Sequence, residues 1–164
     1  MRDDDHRPEV IPRRACEADR AALERLLADA DIGHAIFDGA CTATELRRFV
    51  DDVLAAAAKG QAVVAARPDA HELVGYAAVV EGWLSYGVRP GERRLGHATR
   101  LVRSCCAACD DPVATTVRRD NAASARLLER LGFHFAGSAR ERMGASSILR
   151  YVLPLASVSC WTNC

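Results

Sequence analysis

A strand–helix–strand unit in the middle of the sequence constrains the fold most. Residues 83–88 (WLSYGV) and 113–117 (VATTV) have the apolar, β-branched composition of strands, and a helical pattern at 94–109 separates them. Two strands joined through a helix lie parallel in one sheet, with a right-handed crossover. Upstream, the strand at 72–80 and a turn at 81–82 predict an antiparallel hairpin with 83–88. The sheet is therefore predicted to be mixed.

The remaining segments extend this sheet and cover it. Further strands are predicted at 10–15, at 61–67 and twice after residue 133. Further helices are predicted at 17–30 (capped by Asp19), from Thr42 or Thr44 to Gly60, and at 121–131. The segment 31–41 is predicted to be a loop or a short helical turn. The chain is expected to form an α/β fold: one mixed, mostly antiparallel, twisted sheet of about six to seven strands with helices on both faces. The predicted domain spans 10–155, between a flexible N-terminus at 1–9 and an uncharged tail at 156–164.

Charge and composition exclude several classes of partner. Lys+Arg and Asp+Glu both number 22 and aromatic residues make up 5% of the 164 residues, so nucleic-acid binding is not expected. No apolar run is long enough to span a membrane, and the charged start MRDDDHRPEV does not resemble a signal peptide. We therefore expect a cytoplasmic protein with no membrane partner. A homodimer is compatible with the pattern.

Three of the seven cysteines lie close together in RLVRSCCAAC. Cys105 and Cys109 share a helical face with Leu101 and Val102, which predicts small buried hydrophobic residues. A zinc site would need a second pair of ligands at firm spacing. The pattern therefore predicts no metal.

The stretch VRPGERRLGHATRLV (88–102) combines a turn, a basic pair and a helix start. The first amides of a helix have no intrahelical acceptor and, with the helix dipole, bind anions such as phosphate. Gly96 would let a ligand approach the backbone, and Arg93 and Arg94 could neutralise its charge. An ordinary solvated basic turn accounts for this segment about equally well.

Two motifs together resemble the GNAT superfamily of acyl-CoA-dependent N-acetyltransferases. In the loop, Arg93, Gly96 and Ala98 match the family's diphosphate-binding pattern. The run Gly96-His97-Ala98-Thr99 is similar to the branch related to ribosomal-protein N-terminal acetyltransferases. The second motif, DNAASARLLERLGF (120–133), follows the same branch in register, with Asn121 as a helix cap that could also bind a ligand's amide and a hydroxyl, Ser124, one turn later on the same face.

The resemblance covers roughly residues 10–155 and implies a coenzyme site. Acetyl-CoA would be a co-substrate, with its arm between the fourth and fifth strands, which splay apart, and near the backbone of Tyr86 and Val88. The residues implied to bind it are Val88, Arg93, Arg94, Leu95, Gly96, His97, Ala98, Thr99, Asn121 and Ser124.

The implied catalytic residues are less regular. Many family members protonate the leaving thiolate with a tyrosine at the position that Leu128 occupies here, so Ser124 is the candidate in this chain. The family's usual base position is Gly82, and its neighbour Glu81 is a candidate that could equally be a solvated turn residue. Tyr86, His34 and an ordered water are further candidates for proton transfer.

The walls of the acceptor pocket are expected in two segments. One contains His34, Phe37 and Asp38, where Asp38 could attract a cationic amine or be a simple turn residue; the other is the 140–147 loop.

Two functions follow from this pattern. The first is an acetyl-CoA-dependent N-acetyltransferase that acts on a small-molecule amine or a peptide amine, such as a protein N-terminus. The alternative is a catalytically weak or inactive acyl-CoA-binding module of the same fold with a regulatory role.

Overall fold

The computed structural model describes residues 10–37, 41–67, 72–140 and 147–155. Within these ranges the strands are β1 (Pro12–Arg14), β2 (Ala62–Ala66), β3 (Leu73–Val80), β4 (Trp83–Val88), β5 (Val113–Arg118), β6 (His134–Arg140) and β7 (Ser147–Leu153). The α-helices are α1 (Arg20–Leu27), α2 (Ala30–Ile36), α3 (Ala43–Ala58), α4 (His97–Cys106) and α5 (Ala122–Arg130). All seven strands form one sheet in the order β1-β2-β3-β4-β5-β7-β6.

The sheet is mixed, as predicted. β4 and β5 pair in parallel, and each of the other described neighbours pairs antiparallel. The helix α4 connects β4 to β5, which is the crossover that the strand–helix–strand pattern required. The turn between β3 and β4 has two residues, Glu81 at φ 49° and Gly82 at φ 80°. Positive φ at both positions is typical of the tight turns that match the twist of a hairpin.

Alternation along the strands places two hydrophobic cores on opposite faces of the sheet. On β3, Ala77 and Val79 belong to the core that includes Leu101 of α4. Tyr76 and Ala78, between and beside them in sequence, belong to the second core under α1 and α3. The predicted arrangement of helices on both faces is confirmed.

The helix starts differ from the sequence prediction at two places. Asp19 precedes α1, but its side chain does not cap that helix. It accepts two hydrogen bonds from the Arg13 guanidinium, at 2.7 and 2.6 Å, and one from the Cys16 amide at 2.9 Å. The pKa of the buried Asp19 carboxyl is lowered, mainly because it is hydrogen-bonded to the Arg13 guanidinium. The ion pair with β1 therefore replaces the expected cap.

The predicted helix at 94–109 is shorter in the structure. α4 begins at His97 because Arg94 (φ 65°) and Gly96 (φ 80°) both have left-handed backbone conformations, which interrupt a helix. A short 3-10 turn, Pro90–Glu92, precedes them. The helix predicted at 17–30 is a 3-10 turn, Glu17–Asp19, followed by α1, which ends at Leu27. α2 begins at Ala30 and extends to Ile36, into the segment 31–41 that was expected to be a loop or a short helical turn.

The cap of α3 is settled in favour of Thr42. Its hydroxyl oxygen accepts from the Glu45 amide at 3.2 Å, and the Glu45 carboxylate accepts from the Thr42 amide at 2.8 Å.

The predicted burial of the cysteines is confirmed: Cys105 and Cys106 of α4 are fully buried, and Cys109, which lies beyond the end of α4, is 8% exposed. Each described helix is too short or too polar to cross a bilayer. The terminal segments 1–9 and 156–164 lie outside the described residues, and the 10–155 boundaries stay a prediction.

Candidate active site

The centre of the sheet opens between β4 and β5. Across their described residues, one register pair joins them, Trp83 with Ala114. The Ala114 amide donates to the Gly82 carbonyl at 2.9 Å, and the Thr115 hydroxyl donates to the Leu84 carbonyl at 2.9 Å. Beyond these contacts the ladder ends, which confirms the predicted splay.

A cleft of about 320 Å³ occupies this opening. Its lining combines residues of both strands with residues of α2, α3 and α5, so it reaches both faces of the sheet. The lining residues are Ile36, Phe49, Val80, Trp83, Leu84, Ser85, Tyr86, Thr115, Thr116, Val117, Arg118, Asn121 and Ser124.

Three of the predicted site residues meet on the α5 side of the cleft. The Asn121 side-chain oxygen caps α5 by accepting from the Ser124 amide at 3.1 Å. This bond leaves the Asn121 side-chain NH₂ and the Ser124 hydroxyl to face the cleft. The Tyr86 side chain of β4 approaches Ser124 from the opposite wall. Its hydroxyl is buried and has no partner of good hydrogen-bond geometry among the described residues.

Burial determines the protonation state of Tyr86. The pKa of its hydroxyl is raised above the ordinary value of 10.0, mainly by loss of solvent, although the Ser124 contact acts in the other direction. The phenol therefore stays protonated at neutral pH. Such a group can donate a hydrogen bond or a proton, but it is poorly suited to accept a proton from an amine.

The loop after β4 leaves the start of α4 open to solvent. Arg93 donates from Nε to the Val88 carbonyl at 3.2 Å, which folds the loop back on the end of the strand. Arg93, Arg94, Leu95 and Gly96 are all exposed. A Cβ built on Gly96 would meet no atom within 4 Å, so the backbone has free space in front of it.

The first turn of α4 supplies unpaired amides next to this space. The first hydrogen bond of the helix runs from the Arg100 amide to the Gly96 carbonyl at 3.1 Å. The amides of His97, Ala98 and Thr99 therefore have no intrahelical acceptor. With the positive end of the helix dipole, this geometry fits an anion.

The side chain of His97 does not share this exposure. It is 7% exposed, and its Nε2 lies 3.8 Å from a Glu92 carboxylate oxygen. The other Glu92 oxygen accepts from Arg67 at 2.5 Å. Burial lowers the pKa of His97, so its imidazole is neutral at pH 7. The side chain of His97 is thus buried beneath the loop, and His97 offers only its backbone amide to a ligand. Sequence reasoning missed Glu92 and Arg67, because 25 residues separate them and no local pattern joins them.

Other predicted residues are not brought to the cleft. Glu81 is exposed in the β3–β4 turn, and His34 is exposed on α2; neither lines the opening. Leu128, at the position of the family's usual tyrosine, is fully buried in the core. Phe37 lies behind the cleft, in an edge-to-face contact of 5.4 Å with Phe49. The predictions for Asp38 and for most of the 140–147 loop fall outside the described residues.

The described part of the chain contains no cluster of three or more His, Cys, Asp or Glu side chains that could hold a metal ion.

Comparison with known proteins places this geometry in a family. The model of the acetyltransferase (GNAT) family matches residues 23–133. No curated protein sequence matches the chain.

Solved structures of acetyltransferases share the fold. A ribosomal-protein-alanine N-acetyltransferase from Brucella melitensis has a TM-score of 0.68 at 23% identity, over 88% of this chain and 99% of that one. Spermidine N-acetyltransferase from Vibrio cholerae, in complex with CoA and spermine, has a TM-score of 0.70 at 15% identity, over 92% and 98%. The NatC complex bound to Gag peptide and CoA gives 0.71 at 16%, over 90% and 99%. Since the family model spans well over half of the sequence, the chain belongs to the GNAT family of acetyltransferases.

Proposed function

We propose that the protein transfers an acetyl group from acetyl-CoA directly to the nitrogen of a primary amine. The observation that carries the proposal is the opening between β4 and β5, which holds a cleft lined by Asn121 and Ser124. The loop that follows β4 leads to the exposed start of α4. The start of α4 fits a diphosphate, and the cleft fits a thioester. Family membership makes an acetyltransferase the expected activity.

The loop residues fit the coenzyme's diphosphate. The free space at Gly96 admits phosphate oxygens to the amides of His97, Ala98 and Thr99. Arg93 and Arg94 are exposed beside these amides and can offset the charge. Leu95, which is 45% exposed, can pack on the coenzyme's apolar atoms.

Within the cleft, backbone and side-chain groups can hold the coenzyme's arm. The unpaired edge of β4 from Ser85 to Val88 and the Asn121 amide group present donors and acceptors there. Bound acetyl-CoA would supply an activated thioester. Ser124 and Tyr86 are then placed to donate hydrogen bonds toward the leaving sulfur, and the protonated Tyr86 phenol is the stronger acid of the two.

No covalent enzyme intermediate is required by this arrangement. The thiols of Cys105 and Cys106 have pKa values raised by burial and do not line the cleft. The amine's proton is expected to leave through water, with Glu81 and His34 as outlying candidates on the surface.

The relatives support an amine as the acceptor. One is a spermidine N-acetyltransferase with spermine bound, and another holds a peptide, each together with CoA. The ribosomal-protein-alanine relative is likewise an N-acetyltransferase. For this chain we propose a primary amine on a small molecule or a peptide.

A second candidate is a coenzyme-binding module with little or no activity. It is favoured by Leu128, which is buried in place of a catalytic tyrosine, and by the absence of Asp, Glu and His from the described lining of the cleft.

Two measurements separate these functions. Calorimetry with acetyl-CoA tests binding, and CoA release with a panel of primary amines tests turnover. Turnover that Ser124→Ala weakens supports the enzyme, whereas binding without turnover of any amine supports the module. Failure of the purified, folded protein to bind acetyl-CoA would refute both.

A further inference from the structure

The residues on the acceptor side of the cleft indicate which class of amine fits there. Ser85 and Tyr86 are adjacent on β4 and face opposite sides of the sheet, so the cleft has two halves. The half on the α5 side contains Ser124 and Asn121, which we assign to the coenzyme. The other half is lined by Ile36, Phe49, Val80 and Trp83. We call these four residues the apolar wall.

The apolar wall is partly exposed within a concave site. Ile36, Phe49 and Val80 are half-buried, and Trp83 is 46% exposed. Phe49 is held by edge-to-face contacts with Phe37 and, at 6.5 Å, with Tyr76. Apolar surface left open inside a cleft is typical of a site for an apolar group of a ligand.

Charge in the described lining opposes a polycation. No carboxylate lines the described part of the cleft, and its one charged side chain is a cation, Arg118. Arg118 is paired with Asp120 at 3.5 Å, and both are exposed. A second cation, Arg150, stacks 5.2 Å from the centre of the Trp83 ring. A polyamine would have to place several ammonium groups among apolar residues and like charges, with no counter-ion in the described part of the cleft.

One polar group on this side can meet an amine. The Ser85 hydroxyl is buried and lines the cleft, next to the buried hydroxyl of Tyr76, and neither hydroxyl has a hydrogen-bond partner of good geometry among the described residues. Thr115 is not equivalent, because its hydroxyl already donates to the Leu84 carbonyl. The Ser85 oxygen can accept one N–H of an amine while the apolar wall holds the rest of the molecule.

We propose that the acceptor is a small primary monoamine with an apolar body, such as an arylalkylamine, bound with its body on the apolar wall and its nitrogen at Ser85. This inference rests on the proposed function. It also accounts for the lack of a base among the described lining residues, because apolar surroundings lower the pKa of an ammonium group and favour the neutral nucleophile.

The first test compares amines. 2-Phenylethylamine, spermidine and a short peptide with N-terminal alanine are assayed by CoA release, with acetyl-CoA binding measured separately by calorimetry. We expect kcat/KM for 2-phenylethylamine to be at least about tenfold above that for spermidine, from burial of the ring. Equal or better use of spermidine, or turnover of the peptide alone, overturns the inference while leaving the proposed acetyltransferase activity intact.

If no amine turns over, binding of the two small amines to the protein–CoA complex is measured instead. Stronger binding of 2-phenylethylamine supports the inference, and equal or stronger binding of spermidine overturns it.

The second test introduces a negative charge into the cleft. Thr116 is exposed on β5 and lines the cleft. Thr116→Asp should shift the ratio of kcat/KM toward spermidine by about tenfold or more, whereas the matched neutral variant Thr116→Asn should not. The same ratio for both variants counts against the inference.

The third test addresses the apolar wall. Phe49→Leu should raise KM for 2-phenylethylamine about fivefold and leave KM for acetyl-CoA unchanged. Phe135→Leu, at an aromatic residue that is 59% exposed outside the cleft, is the control and should change neither constant. An unchanged KM for the amine in folded Phe49→Leu would contradict the assignment of this wall. If the folded wild type does not bind acetyl-CoA, the proposed function is refuted instead.

Discussion

Gly96 and Gly82 form a matched pair for testing the coenzyme loop. Both have φ of 80°, and in both a Cβ would meet no atom within 4 Å. Gly96 precedes α4 in the loop that we propose binds the diphosphate, whereas Gly82 lies in the turn between β3 and β4. Substitution at either position therefore carries the same backbone cost, and only one of them should affect the ligand.

The expected magnitudes follow from the backbone. An L-residue in the left-handed region costs about 1–2 kcal/mol, so Gly96→Ala and Gly82→Ala should lose similar stability. For a chain of this size, each kcal/mol lowers Tm by about 2–4 °C. A leucine at 96 would in addition cover the amides of the first turn of α4. Losing two hydrogen bonds to a charged phosphate, at about 1.5 kcal/mol each, weakens binding about 100-fold.

Calorimetry with acetyl-CoA and thermal melts of the four variants, Gly96→Ala, Gly96→Leu, Gly82→Ala and Gly82→Leu, provide the measurement. Gly96→Leu should bind about 100-fold more weakly than Gly82→Leu, which should bind within about twofold of the wild type. Equal Kd values for the two leucine variants, at comparable Tm, would show that the start of α4 is not the diphosphate site.

Three further outcomes are expected. Ser124→Ala should lower kcat for CoA release by about 10-fold or more and leave the Kd for acetyl-CoA within about twofold, because the hydroxyl acts at the sulfur; an unchanged kcat would exclude this role. Asp19→Asn should lower the free energy of unfolding by about 1–3 kcal/mol at neutral pH by weakening the bidentate pair with Arg13. Since the folded pKa of Asp19 lies below 3.8, this difference should persist above that pH and vanish as pH falls through the folded pKa; a pH-independent difference in urea melts would contradict the ion pair. In the native protein, iodoacetamide should alkylate exposed Cys16 well before buried Cys105, as followed by mass spectrometry. Equal rates of labelling would contradict the burial of Cys105 in α4.

Local chemistry made the cap of α5 predictable. Asn121 begins the helix and accepts from the Ser124 amide, and helix geometry places Ser124 on the same face. The resemblance to the family, and not helix geometry, made these two residues a candidate site. Gly96 was singled out because a residue without a side chain lets a ligand approach the backbone, and a Cβ at this position would meet no atom within 4 Å. The helix start itself was misplaced by three residues, because Arg94 adopts a positive φ that its residue type does not announce.

The acceptor half of the cleft shows the limit of local reasoning. Phe49 lies inside α3, and its apolar character predicts burial but not which surface it meets. Glu81, a candidate base from its position in sequence, lies instead in an exposed turn outside the cleft. Contacts between residues far apart in sequence depend on how helices pack on the sheet, and one sequence contains no direct record of that packing.

The sequence by itself determined the parallel pairing around the crossover, because two strands joined through a helix lie parallel in one sheet. It also determined the turn at 81–82, the cap at Asn121 and the glycine before α4, since each depends on interactions within a few residues. Only the tertiary structure decided that Tyr86 of β4 meets Ser124 of α5, that His97 turns its side chain inward onto Glu92, and that Ser85 faces an apolar wall. These arrangements arise where the sheet splays, because side chains of separate elements meet there only after the two hydrophobic cores have packed.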